Sequence, residues 1–392
     1  MRNGFDEGSL LLRNARVWRR PGECVSDPQD ALLRGGRIAE IGRVAGAGSG
    51  VREVDLSGRV TTAGFWNCHV HLTESVWSGR SRAALSAMQA AIDDMMLSRG
   101  FVTVVDLGSH PRTTNALARR IETGQLRGPT IITAGIGIRP WRGIPFYTRI
   151  IVPWFMRWML PTPLTGFGAR LVVASQLRNG ARVVKLFTGA YVTPERVKPM
   201  REAVARAAVD QAHRRGVRVF AHPSNREGTA IALGAGVDAL AHVPDDTYGT
   251  AALLAEAARR GVRTVPTLHM FASTVRTDAD YLGPIHAALG DFLRQGGKVL
   301  FGTDVGYMAE RDTRPEFEAM ADSGMGVDHL LGSLTSEPAA FFADQERGAV
   351  EVGHHADLTI LDTRSQHPTP SDFSRIYATF RQGRMIWPAT IE

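Results

Sequence analysis

Residues 183–222 read VVKLF-TGAYVT-PERVKPMREAVARAAVDQAHRR-G-VRVFAH. A short β-branched run at 183–187 is followed by an amphipathic stretch at 194–215, by Gly216 where a helix C-cap belongs, and by a second β-rich run at 217–222. That order marks a parallel βα unit, because a strand covered on both faces is apolar throughout while its crossover helix is apolar along one stripe. The unit recurs in both directions. Strand-like runs lie at 64–69, 101–106, 130–134, 239–242, 263–268 and 299–304, and helix-like runs at 82–99, 113–123, 248–260 and 279–295. Gly100, Gly261 and Gly296 close helix-like runs as Gly216 does. Eight strands with intervening helices predict an α/β fold, a (β/α)8 TIM barrel. An open doubly wound sheet alternates as well, but it would carry a glycine-rich phosphate loop after its first strand, and Gly64 is followed by Phe-Trp-Asn-Cys.

The two ends of the chain are patterned differently. Residues 9–17, 31–41 and 51–60 alternate apolar and polar side chains between Gly-Gly and Gly-Ala-Gly turns, as do 356–361 and 376–386. They predict antiparallel strands that join in a small discontinuous β-sandwich, dividing the chain into 1–61, a barrel at 62–345, and 346–392. Of 392 residues, 44% are hydrophobic and 22% charged, which supplies a large core and excludes a disordered or fibrous chain. Cys24 and Cys68 are too few for a disulfide framework, and the first 25 residues lack the apolar run of a signal peptide, so a cytoplasmic protein is expected. The nearest approach to a membrane span, 150–160, is broken by Pro153 and Arg157 and falls short of the roughly 20 residues required. The net charge is +7, yet the arginines are scattered and no basic tail exists. The expected partner is a small-molecule substrate, with neither nucleic acid nor membrane.

His69 and His71 end the first barrel strand, where residues i and i+2 share a face and two imidazoles can chelate one metal. Taken alone, a His-x-His pair is weak evidence, because such pairs are more often ordinary polar residues than metal ligands. Four further residues favour the ligand reading. Lys185, His222, His242 and Asp304 lie in or at the ends of strand-like runs, and the carboxyl ends of the strands form the active-site rim of a barrel. No G-x-S-x-G nucleophile elbow supports a serine hydrolase.

Taken in order, TAGFWNCHVHL at 62–72, VKL at 184–186, AH at 221–222, AH at 241–242 and GTD at 302–304 resemble the metal motifs of the amidohydrolase superfamily. ALLRGGRIAEIG at 31–42 and GHHADLTILD at 353–362 resemble the β-sandwich that flanks the barrel in its imidazolonepropionase-like and prolidase-like branches. The resemblance spans essentially the whole chain. It implies that His69 and His71 bind one divalent metal with Asp304, that His222 and His242 bind a second, and that Lys185 bridges both. A free ammonium cannot ligate a cation, so the bridge requires Lys185 to be carbamylated by carbon dioxide. The bland alternatives are a structural lysine, core imidazoles and a helix-capping aspartate. Zinc is the expected metal, with manganese, cobalt or iron as alternatives. Such a centre activates water to hydroxide and polarises a carbonyl, with Asp304 as catalytic base and then acid. The implied reaction is hydrolysis of an amide-type C–N bond, linear or cyclic, in an N-acyl amino acid or dipeptide-like substrate. A deaminase, cyclase or other lyase on the same site is the alternative within enzymology, and a non-catalytic scaffold the alternative outside it.

The chain departs from the prolidase-like pattern in two places. A Gly-Gly-His-Gly stretch after the third strand is replaced by GIGIRPWRG at 135–143, and a Tyr after the fifth-strand His is replaced by Pro-Ser-Asn at 223–225. His110, Arg139, Trp141, Arg142 and His269 are the candidate substrate contacts. Asn67 and Cys68 stand where an Asp often precedes His-x-His, and Cys68 reads as a small buried residue. Residues 135–168 are long for a βα loop and rich in Trp, Phe and Met. Either they cover the mouth and favour a bulky apolar substrate, with Arg139, Arg142 or Arg149 pairing its carboxylate, or they pack against a neighbour in the expected homo-oligomer.

Overall fold

The computed structural model describes residues 8–45, 50–79, 82–275 and 279–389, so the end segments expected at 1–61 and 346–392 lie partly outside the described residues, at 1–7, 46–49 and 390–392. In chain order the strands are β1 (Leu10–Val17), β2 (Pro28–Arg34), β3 (Arg37–Gly42), β4 (Arg52–Asp55), β5 (Val60–Ala63), β6 (Phe65–Val70), β7 (Phe101–Asp106), β8 (Thr130–Thr133), β9 (Val183–Phe187), β10 (Gly189–Thr193), β11 (Arg196–Pro199), β12 (Arg218–His222), β13 (Ala239–Ala241), β14 (Arg263–Val265), β15 (Leu358–Leu361), β16 (Ile376–Arg381) and β17 (Arg384–Trp387).

Strands from both ends of the chain pair into one sheet, in the order β17-β16-β15-β5-β1-β2-β3 with β4 beside β1. The sheet is mixed, not purely antiparallel. β4 and β5 run one after the other along β1 in parallel, Leu10 opposite Arg52 and Arg16 opposite Val60. They act as one strand interrupted at Ser57 and Gly58, which both take positive φ (51° and 78°). Likewise 376–386 is a hairpin, β16 and β17, turned at Gln382 and Gly383 with φ of 50° and 72°, the geometry of a type I′ turn.

Seven further strands are parallel: β6, β7 and β8 form one sheet, and β9, β12, β13 and β14 another. β6 and β7 are buried at every position, as strands covered on both faces must be. Helices such as Arg82–Met95, Glu202–His213, Arg226–Ala235 and Ala279–Arg294 connect successive strands. Gly100, Gly216, Gly261 and Gly296 take left-handed φ of 66–80°, the C-cap conformation expected of them. Hydrogen bonds tie the edges of the two sheets. Ile138 N–H donates to Lys185 O and Phe187 N–H to Ile138 O, both at 2.8 Å. On the other side, residues 299–305 fill the gap, with Leu300 N–H donating to Thr264 O (2.9 Å) and Cys68 N–H to Phe301 O (2.7 Å).

Three expected elements differ. The eighth strand expected at 299–304 is an extended segment without a regular ladder, because Phe301 N–H turns to Ser333 O (2.9 Å) and Gly302 is wedged where a Cβ would lie 2.3 Å from Val265 Cγ1. The helix expected from 194 starts at Glu202, since β10 and β11 form a hairpin, with Pro194 and Pro199 withholding N–H groups and Val192, Thr193 and Val197 favouring extended backbone. The strand expected at 263–268 ends at Val265, where Pro266 breaks it, and Leu268–Thr274 is helical. No helix among the described residues is long and apolar enough to cross a membrane.

The glycines of the 299–306 segment determine how closely it approaches β6. At Gly306 (φ 92°) a Cβ would lie 1.8 Å from His71 O. Gly306→Ala is therefore expected to destabilise the protein by about 1–3 kcal/mol, measured by urea unfolding; an unchanged midpoint would contradict the close approach.

Candidate functional site

One rim, at the carboxyl ends of the parallel strands, gathers the six sequence-derived ligand candidates. His69 lies in β6 with His71 just beyond it, Lys185 is central in β9, His222 ends β12, His242 follows β13, and Asp304 lies near the end of the extended segment. Asp304 Oδ1 is 2.9 Å from His71 Nε2 and 3.2 Å from His69 Nε2, and its Oδ2 is 3.9 Å from His242 Nε2. The His69 and His242 rings are centred 4.6 Å apart, as are those of His222 and His242. Lys185 Nζ lies 5.6 Å from the Phe187 ring, which sits 5.1 Å from His222.

Local structure explains this convergence. A register shift between Asn67 and Val70 marks a bulge or irregularity in β6 at Cys68 and His69, both fully buried. Asn67 clamps the two chain segments: its Oδ1 accepts from His69 N–H (3.1 Å) and Thr303 N–H (3.3 Å), and its Nδ2 donates to Thr303 Oγ1 (2.8 Å). Three non-glycine residues on this rim, His242, Thr267 and Asp304, take positive φ of 106°, 51° and 59°. Backbone held this way costs on the order of 1–3 kcal/mol per residue and persists only where the surroundings impose it.

Thr267 also orients His242. Its hydroxyl donates to Pro266 O (2.7 Å), so it accepts at 2.6 Å from His242 Nδ1–H, leaving the Nε2 lone pair of the neutral ring turned toward Asp304. Burial drives the pKa of His69, His222 and His242 well below the ordinary imidazole value, and the positive charge of Lys185 and neighbouring imidazoles adds to it. Burial likewise pushes the Lys185 ammonium down to about 7, with Asp304 opposing the shift and Arg139 reinforcing it.

These donors suit a divalent cation. Both ring nitrogens of His69 and Asp304 Oδ1 are buried and make no well-directed hydrogen bond, although Asp304 Oδ1 lies 2.9 Å from His71 Nε2, a state that costs about 1–3 kcal/mol per group when left uncompensated. Ligand atoms of His69, His71 and Asp304 all lie within 4.8 Å of one another, and neutral imidazoles with a carboxylate are what such an ion binds.

The substrate candidates fare unevenly. Arg139 is buried, donates from Nη1 to Gly137 O (2.6 Å), lies 5.0 Å from the Phe187 ring, and leaves its Nε without a partner. Burial pushes its guanidinium down to about 10. His110, which precedes the helix Pro111–Glu122, is exposed, and so are Trp141 and Arg142. His269 does not end a strand as expected. Pro266 and Thr267 stop β14, and His269 lies in the first turn of the next helix, its backbone N–H held by Glu316 at 2.7 Å.

Two tyrosines escaped sequence reasoning. Tyr147 and Tyr307 pack edge to face with centroids 5.6 Å apart. Burial raises both phenols, and the charge of Asp304 raises them further; the Tyr307 backbone N–H donates to Asp304 O (3.1 Å). The aromatic wealth of 135–168 was the only signal for Tyr147. Cys68 is buried as expected, its thiol pushed up by desolvation.

The depressed lysine makes a pH prediction. Over the window from about 7 to the unfolded value of 10.5 the unfolded chain holds a proton on Lys185 that the folded chain lacks, so stability rises with pH there. Metal-free protein should gain thermal stability between about pH 7 and 9, and Lys185→Met should flatten that rise. An identical slope in the variant would remove Lys185 as its source.

The family model described as the amidohydrolase family matches residues 60–386. Uncharacterized proteins of Mycobacterium bovis (strain ATCC BAA-935 / AF2122/97) and Mycobacterium tuberculosis (strain ATCC 25618 / H37Rv) are 30% identical over 228 residues, covering 50% of this chain and 61% of theirs. Among solved structures, an amidohydrolase superposes with a TM-score of 0.80 at 22% identity, covering 96% of this chain and 98% of its own. A Xaa-Pro dipeptidase with methionine bound in its active site gives 0.80 at 20% identity, covering 96% and 99%. Molinate hydrolase gives 0.79 at 18% identity, covering 99% and 97%. At these identities the structures share the fold.

Proposed function

Because the chain belongs to the amidohydrolase family, we propose that it is a metal-dependent hydrolase of an amide-type C–N bond in a carboxylate-bearing, largely apolar small molecule. The observation that carries this reading is the buried, unsatisfied set of donors on His69 and Asp304 inside a rim of four further ligand-type side chains. In this reading β6, β7, β8, β9, β12, β13, β14 and the 299–305 segment make up a (β/α)8 barrel at 62–345. The mixed sheet forms the companion domain from 1–61 and 346–392, with Thr62 and Ala63 of β5 still in that sheet. Free Cys24 and buried Cys68 suit a reducing, cytoplasmic setting.

His69, His71 and Asp304 would hold one divalent ion and His222 and His242 a second, zinc being the default for this donor set. When bound, the ions supply Lewis acidity, acidifying water and polarising the substrate carbonyl. Lys185 would supply a carboxylate ligand once its neutral Nζ attacks carbon dioxide: the C–N bond forms as one C=O π bond opens onto oxygen, and the nitrogen releases a proton to water. A pKa near 7 keeps a substantial fraction of that amine free to react at neutral pH. Asp304 accepts the proton of the attacking water and returns it to the leaving nitrogen. Tyr147, packed against Tyr307 whose backbone N–H donates to Asp304 O, takes the place of the phenol that Pro-Ser-Asn after His222 does not provide, and orients the carbonyl. Arg139, a buried cation with an unpaired Nε, receives the substrate carboxylate.

Two substitutions test these roles on a substrate found by screening N-acyl amino acids and dipeptides. Asp304→Asn is expected to lower kcat by about a thousandfold while metal remains bound; unchanged kcat would take Asp304 out of proton transfer. Arg139→Met should raise KM about tenfold or more for carboxylate-bearing substrates and leave the corresponding neutral amides unaffected. An equal effect on both classes would assign Arg139 to structure alone.

A further inference from the structure

The stretch between Gly135 and Arg178 does two things that the catalytic reading leaves unused. Its large apolar side chains face water: Ile150 is 81% exposed, Trp154 78%, Phe155 58%, Trp158 82% and Phe167 69%. Four of these five fall within nine consecutive residues, and the short helix Trp154–Met159 contains no buried residue at all. The stretch is also free of acid. Between Glu122 and Glu195 the chain carries no Asp or Glu, while Arg139, Arg142, Arg149, Arg157, Arg170 and Arg178 punctuate it. Arg149 and Arg157 donate to backbone carbonyls, of Val192 and of Val152 and Arg149 respectively, and meet no carboxylate among the described residues.

We propose that residues 149–171 form a peripheral docking surface for an anionic phospholipid bilayer. Exposed tryptophans flanked by arginines match the headgroup boundary, where the indole sits between hydrocarbon and water and the guanidinium meets phosphate. The charge argues against a second copy of the chain as occupant, because a two-fold contact would face each patch with its own cations and no carboxylate within the patch. Ile150 and the methionines of the helix call for hydrocarbon, not for the flat faces of nucleic-acid bases. The expectation from sequence that no membrane is a partner considered only a spanning segment, and this surface lies on the bilayer without crossing it. The helix Phe146–Ile151 carries Ile150 and also Tyr147, which packs on Tyr307 close to Asp304. Docking therefore turns the mouth of the site toward the lipid; this orientation rests on the proposed function, whereas binding does not.

Co-sedimentation of the purified full chain with vesicles tests the surface directly, without any substrate. Phosphatidylcholine vesicles containing about one-third phosphatidylglycerol should retain the protein about tenfold or more better than pure phosphatidylcholine, and raising salt to about 0.5 M should release it. Trp154→Ala combined with Trp158→Ala should cut retention about tenfold with an unchanged circular-dichroism melt. Equal retention on both vesicle types, or no retention with a monomer–dimer equilibrium that the double variant abolishes, would overturn the proposal. The lipid and salt arms use unaltered protein, so a folding defect in the variant leaves the test intact.

Discussion

Burial of His69, Lys185, His242 and Asp304 around one rim is the constraint to which much else in the molecule answers. Taking so many polar groups out of water is unfavourable unless each finds a partner. Their protonation states already yield to that pressure: the buried imidazoles shift toward neutrality and the lysine amine toward its free base. What remains unmet includes one nitrogen lone pair of the neutral His69 ring and one oxygen of Asp304, both of which a divalent ion can accept.

Backbone geometry maintains the cluster. The sharp conformations at His242, Thr267 and Asp304, the bulge beside His69, and the two glycines that let the 299–306 segment lie against β6 all occur within a few residues of the ligands. Asn67 and Thr267 connect this backbone to the chemistry, the first by pinning the His69 and Asp304 segments together and the second by selecting one imidazole tautomer. The stability spent on strained rim positions is recovered in the apolar strands beneath them, where Trp66, Cys68, Val183, Phe220 and Leu300 pack in one buried cluster.

The six rim residues were legible in the sequence because each belongs to a short apolar run whose end can be seen, and strand ends converge whatever the intervening helices do. The same logic failed at His269, where Pro266, directly after Val265, stops the strand and a helix begins instead. It failed again at 299–304, because Phe301 satisfies its N–H with a helix carbonyl, a long-range choice that no local pattern records. The hairpin at 189–199 was hidden by charged residues that fit a helix equally well. Tyr147 could not be singled out among the many aromatics of 135–168, since only tertiary packing separates it, against Tyr307, from Trp154 and Trp158 in solvent. Arg139 and Arg142 look alike in the sequence, yet one is buried and the other is exposed.

The central claim is that this rim exists to hold divalent metal. Elemental analysis of the protein purified without chelator measures that directly. The account predicts about one to two equivalents of zinc, manganese, cobalt or iron per chain, lost together when His69 and His242 are both replaced by alanine. Metal well below stoichiometric in the unaltered protein, even after incubation with excess zinc and bicarbonate, would contradict it.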